Sequence, residues 1–195
     1  MQRREALRLL VSAATLPLLP REAFSLFQEV HEQLSDQPVL KTLNRQQNAT
    51  VTIITEIIIP QTNTPGAKAA RVNEFIDVIL SDWYDDEEKS TFLTGLTELD
   101  SRTRDLFAKD FVDCGEKQQV EVLQALDDEL AASRVEPEPM RRHRRLPEKN
   151  FFAMIKQLTL IGYYTSEIGF EQELHAEIIP SRHAGCVPLE EEAAK

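Results

Sequence analysis

Val51-Thr52-Ile53-Ile54-Thr55-Glu56-Ile57-Ile58-Ile59 is the stretch on which the fold class turns. By propensity alone this run of β-branched residues is a strand. Its apolar positions 51, 54 and 58, with the polar Thr55 and Glu56, also fit one helical face. Nothing else in the chain alternates as a strand does, and a lone strand has no partner for its backbone groups. The run therefore predicts a helix, stopped by Pro60.

Working outward from it, Gln61-Thr62-Asn63-Thr64-Pro65-Gly66-Ala67 reads as a turn, with Pro65 presetting φ and Gly66 supplying a left-handed position. Phe75, Ile76, Ile79 and Leu80, followed by Trp83-Tyr84, predict a helix of about a dozen residues. Asp85, Asp86, Glu87 and Glu88 open another, with acids in its first turn as the macrodipole favours. Phe92, Leu93, Leu96 and Leu99 form its apolar face, extending towards Leu106 and Phe107. A further helix runs over 116–132, with Val120, Leu123, Leu126, Asp127 and Leu130 on one side.

Residues 134–149 carry Pro137, Pro139, Pro147 and the basic run Arg141-Arg142-His143-Arg144-Arg145. They read as a solvated loop or as a docking patch for an acidic surface. Asn150 then caps an apolar helix with Phe151, Phe152, Met154, Ile155, Leu158, Leu160 and Ile161, continuing through Glu167. The tail, 176–195, is extended and irregular. Upstream, Ala23, Phe24, Phe27, Val30 and Leu34 predict an amphipathic helix over 21–34, followed by a polar stretch with Pro38. The expectation is all-α: one helical domain over 21–195, of about five to seven helices, with an irregular C-terminal tail.

The first twenty residues stand apart. Arg3 and Arg4 precede an apolar stretch over 7–19, the pattern of a bacterial twin-arginine export signal. The stretch is too short to span a bilayer, which takes about 20 residues. An amphipathic first helix ending at Pro17 or Pro20 is the competing reading, supported by Arg8 and Glu5. Val11-Ser12-Ala13 is the nearest small-residue pattern for cleavage, so cleavage and an uncleaved N-terminal anchor both stay open. That export route carries folded proteins, which places the chain in the periplasm, either free or held at the cytoplasmic membrane.

The chain has 195 residues, 22 basic and 33 acidic, for a net charge of −11. Its length suits one domain. Loss of the arginine-rich leader would leave it more acidic still, and such a surface repels phosphate backbones, which argues against nucleic acid. Glycine-rich cofactor cradles, Gly-x-Ser-x-Gly and Cys-x-x-Cys are all missing from the sequence, so no catalytic, cofactor-binding or metal residue is assigned. His175, Glu177 and His183 lie loosely in the tail, without the spacing of a metal site.

Four stretches together resemble the gluconate 2-dehydrogenase subunit 3 family, the small subunit of membrane-associated flavin sugar dehydrogenases. They are Arg3-Arg4-Glu5-Ala6-Leu7; Ile58-Ile59-Pro60 with Thr64-Pro65-Gly66-Ala67; Phe75-Ile76-Asp77 with Asp82-Trp83-Tyr84; and Phe151-Phe152 through Leu158-Thr159-Leu160-Ile161-Gly162-Tyr163-Tyr164-Thr165-Ser166-Glu167-Ile168-Gly169, closing with Gly185-Cys186-Val187-Pro188-Leu189. The resemblance spans roughly residues 45–190. It implies a non-catalytic helical escort for a glucose–methanol–choline type flavoprotein that lacks its own signal; a stand-alone exported helical binding or adaptor protein without a dehydrogenase partner is the alternative reading. FAD and substrate would sit on that partner, and a cytochrome c subunit often completes such complexes. This chain departs from the pattern with Cys114-Gly115, where relatives carry a leucine and then Ser or Thr, and with His175-Ala176-Glu177 near the final bend.

Large amphipathic side chains suit an interface. Tyr163 and Tyr164 are therefore candidates to meet a partner, with core packing as the alternative for one of the two. Trp83 has the same two readings. Cys186 can pair with Cys114, bond to a partner cysteine, or stay free.

Overall fold

The computed structural model describes residues 30–31, 39–133 and 150–176, and all regular structure among them is helical. The leader with Arg3 and Arg4, the basic stretch 134–149, and the tail beyond Ala176 with Cys186 lie outside the described residues.

Helix α1, Arg45–Ile58, contains the run that decided the fold. Asn44 caps it: its side chain accepts from the Gln47 N–H at 2.8 Å, and Gln47 Oε1 accepts from the Asn44 N–H at 2.9 Å. Val51 and Ile54 are fully buried on the face that the spacing requires. Thr55, a polar residue of that pattern, is fully buried too, and its hydroxyl donates to the Thr52 carbonyl at 3.0 Å. β-Branched residues lose only tenths of a kcal/mol each in a helix, so burial of one face decides the outcome.

Helix α2 is Val72–Asp82, and α3 is Asp86–Phe107. Asp85 and Glu88 form a second reciprocal cap at the start of α3. Leu106, expected on the apolar face, is 58% exposed; Phe107 takes the core side instead, and Ala108 ends the helix in a left-handed turn. A short 3₁₀ turn, Phe111–Asp113, leads to α4, Glu116–Ser133. Here Cys114 is buried, and Gln118 Oε1 accepts from the Gly115 N–H at 3.0 Å. Val122 and Leu123 are buried beside Gln119, a register slightly rotated from the Val120–Leu126 face expected.

Helix α5, Phe151–Tyr164, is the central element and packs against each of the other four helices. Asn150 Oδ1 caps it, accepting from the N–H groups of Phe152 (2.9 Å) and Ala153 (3.2 Å). Its only charged residue, Lys156, is buried and ion-paired with Asp127 of α4 at 2.5 Å, its ammonium 5.5 Å from the Phe152 ring centre. Removing either partner of such a pair would strand a buried charge at a cost of about 3–5 kcal/mol. Asp127 thus belongs to the inner side of α4, as its spacing suggested.

The helix stops three residues before Glu167, where it was expected to end. The Thr165 and Ser166 hydroxyls donate to the carbonyls of Ile161 (2.7 Å) and Tyr163 (2.6 Å), and Ser166 Oγ accepts from the Gly169 N–H. These side-chain bonds add to the backbone bonds from the Thr165 and Ser166 N–H groups to the same two carbonyls, and the chain continues as a wider π-helical turn, Ile168–Glu173.

Gly162 sets the approach of α5 to α2. A Cβ at this position would lie 2.7 Å from Cδ1 of Phe75, whose ring is fully buried and has nowhere to move. Gly162→Ala is therefore expected to destabilise by about 1–3 kcal/mol, the overpacking cost outweighing roughly 1 kcal/mol gained in helix propensity. Urea unfolding measures this; a neutral or stabilising effect would contradict the close crossing.

Candidate functional site

Among the described residues, the Thr64–Ala67 turn, Phe75 and the Gly162–Gly169 block meet at one end of the bundle, around the C-terminus of α5. Glu56 on α1 folds over the following turn, its two carboxylate oxygens accepting from the N–H groups of Gln61 and Lys68, each at 2.8 Å. Gly66 does not take the left-handed conformation expected of it; it is needed because it lies directly beneath that carboxylate, where a side chain would collide. The turn is closed from below by the Ala67 N–H to the Ile59 carbonyl at 2.9 Å. From α5, the Tyr163 hydroxyl donates to the Pro65 carbonyl at 2.7 Å. From the π-helical turn, Glu173 accepts from the Thr64 hydroxyl at 2.6 Å. The Thr-Pro-Gly-Ala turn is thus bound by the helix before it and by two points more than ninety residues away in sequence.

Asp77 on α2 is 2% exposed and collects three backbone donors from an upstream segment: the N–H groups of Lys41 (2.6 Å), Thr42 (3.0 Å) and Leu43 (2.7 Å). A buried carboxylate is tolerated because these charge-assisted bonds replace its hydration. Next to it, His31 stacks on Phe75, with ring centres 4.8 Å apart and planes 17° from parallel. Thr165 spends its hydroxyl hydrogen on the Ile161 carbonyl, which leaves its oxygen to accept from His31 Nε2 at 3.1 Å. Burial pushes the imidazole down to about 4, against an opposing backbone hydrogen bond with Gly162; Arg71, itself paired with Glu74, lowers it further.

The residues expected at a partner surface separate. Tyr163 is 1% exposed with its hydroxyl satisfied, so it is a core residue and the interface expectation for it is corrected. Tyr164 is partly buried, its ring edge-on to Tyr163 at 5.3 Å. Trp83, just after α2, is 49% exposed. Its neighbour Tyr84 packs on the core, and burial beside Glu88 pushes its phenol up to about 12. Lys41 reaches Asp82 at 2.7 Å, which brings the strap leading from the exposed Val39 to this same end of α2. Cys114 is buried, and burial raises its thiol, while Cys186, Arg3 and Arg4 lie outside the described residues.

A cleft of about 510 Å³ lies between α3, α4 and the start of α5, at the far end of α5 from the Thr-Pro-Gly-Ala turn. Its lining includes Thr94, Glu98, Asn150, Phe151 and the Arg102–Glu129 ion pair (2.7 and 3.0 Å). Trp83, Tyr163, Tyr164 and Cys114 do not line it, whereas Phe151 and Phe152 of the fourth stretch do. Among the described residues, no three His, Cys, Asp or Glu side chains gather as metal ligands would, and no helix is long and apolar enough to cross a membrane.

Sequence reasoning missed His31 and Glu56. His31 follows Phe27 by four positions and adjoins Val30, so it falls on the apolar stripe of its predicted helix; that was the available signal. Glu56 carried no such signal, because its role depends on a turn that begins five residues later.

His31 has a testable consequence. Its folded-state value lies below the ordinary 6.5, so on acidification the unfolded chain takes up a proton before the folded one does. Its contribution to stability is complete above about pH 6.5, declines as pH falls, and levels off near pH 4. Between about pH 7.5 and 5 the loss is about 2 kcal/mol. Urea midpoints at the two pH values, for wild type and His31→Gln, measure it; an unchanged pH slope in the variant would contradict the buried neutral imidazole.

The family model for gluconate 2-dehydrogenase subunit 3 matches residues 45–180. Neither the curated proteins nor the solved structures contain a match to this chain. The matched span covers all five helices, the Thr-Pro-Gly-Ala turn, Asp77 and the Gly162–Gly169 block. The chain belongs to the gluconate 2-dehydrogenase subunit 3 family.

Proposed function

We propose that the protein is the non-catalytic small subunit of an exported flavin-dependent sugar or sugar-acid dehydrogenase. It docks on a glucose–methanol–choline type flavoprotein in the cytoplasm and carries it, folded, through the twin-arginine route. FAD and substrate sit on the partner, and this chain contributes the address and a binding surface. The working complex is periplasmic and held at the membrane, through a cytochrome c subunit or through an uncut N-terminus.

The family match over residues 45–180 carries this reading, since it names a subunit of a dehydrogenase. The Arg3-Arg4 leader supports the export role. Trp83 supports docking: a half-exposed tryptophan is a costly surface residue for a monomer, and aromatic anchors dominate protein interfaces.

Changing Arg3 and Arg4 together to lysine in the source organism tests the escort role. Both this chain and the flavoprotein are expected to remain in the cytoplasm; normal export of the flavoprotein would refute it. Trp83→Ala tests the surface. Stability should change by no more than about 0.5 kcal/mol, because the side chain is half in water. Affinity for the flavoprotein should fall about tenfold or more, a loss of at least ~1.4 kcal/mol. Unaltered affinity by calorimetry would move the interface elsewhere.

A further inference from the structure

Val30 and His31 lie upstream of the family-matched region, yet Val30 is fully buried in the core and His31 is bonded into it. The seat for His31 is assembled from distant parts. Phe75 and Arg71 come from the α2 end, Gly162 from α5, and Thr165 from the turn beyond it, 134 residues from His31. It exists only once α2 and α5 have packed. A second clasp follows at residues 41–43, where the buried Asp77 carboxylate holds three successive N–H groups. Leu43 is itself 3% exposed. Both clasps close on α2 within three residues of each other, at Phe75 and Asp77.

We propose that these two clasps fasten the leader-bearing N-terminus to the completed helical bundle, so that the chain becomes export-competent only when its fold is closed. The coupling is a linkage effect: any state in which α2 and α5 are unpacked loses the His31 seat, and the segment behind the leader is released. His31 is thus a positioning residue for the address. The inference rests on the export reading above, which supplies the reason for joining leader and fold.

Hydrogen exchange on the full-length chain, leader included, tests the clasp, and an export assay in the source organism tests its consequence. In wild type, the amides of residues 30–31 and 41–43 should exchange slowly. In His31→Ala they should exchange about tenfold faster or more, with α5 amides unchanged, and export should drop several-fold. Should His31→Ala loosen α5 as well, Thr165→Val decides instead, since it removes the acceptor while keeping the shape; the same N-terminal amides should still speed up. Equal N-terminal exchange in wild type and variant overturns the clasp. Wild-type export of His31→Ala, with the Arg3/Arg4 double lysine variant blocked, overturns the coupling while leaving the export role intact. If the double lysine variant is itself exported, the export reading fails, and the clasp then stands or falls on exchange alone.

Discussion

The bare backbone of Gly162 against the buried ring of Phe75 is the contact on which the rest of the structure depends. It sets how closely α5 lies on α2, and α5 packs against each of the other four described helices. With that distance set, Tyr163 reaches the Pro65 carbonyl, Thr165 reaches His31, and Glu173 reaches Thr64. Each of these bonds contributes on the order of 1 kcal/mol, but their geometry is unforgiving, and a shift of one methyl group at the crossing would strain all of them. The buried Lys156–Asp127 pair sits two turns back along α5 and fixes its rotation against α4.

The fold class was legible in the run over residues 51–59, and the reason is partner counting rather than propensity: a single strand-like segment has nothing to pair with. The Asn150 cap was legible as well, because it acts on backbone groups two and three residues away, whereas the Asn44 cap escaped. Beyond that cap, what escaped was everything that depends on distant partners. Thr55 reads only as a polar position and is buried; Tyr163 stays open between interface and core and is core; Glu56 reads only as a polar helix position and organises a turn. Local periodicity predicts which face of a helix turns inward. It carries no information about a hydroxyl that finds a carbonyl nearly a hundred residues away.

This separation bears on how the family pattern is understood. The stretches that identify the family over residues 45–180 are, in this chain, largely internal joints: Gly66 under Glu56, Asp77 inside a ring of N–H groups, Gly162 under Phe75, Ser166 turning the chain at the end of α5. Such residues preserve a shape, and the surface that shape presents is a different set. Trp83 belongs to both sets, lying in a family stretch yet half in water. A scaffold of rigid internal joints with a few exposed anchors suits a protein whose work is to hold another one.

Recovery of the tagged wild-type chain from the periplasm of its source organism, with an absorption spectrum and mass identification of whatever accompanies it, tests that role most directly. A stoichiometric flavoprotein with a flavin spectrum is the expected result. A colourless chain, monomeric and alone at the concentrations found in the cell, would contradict it.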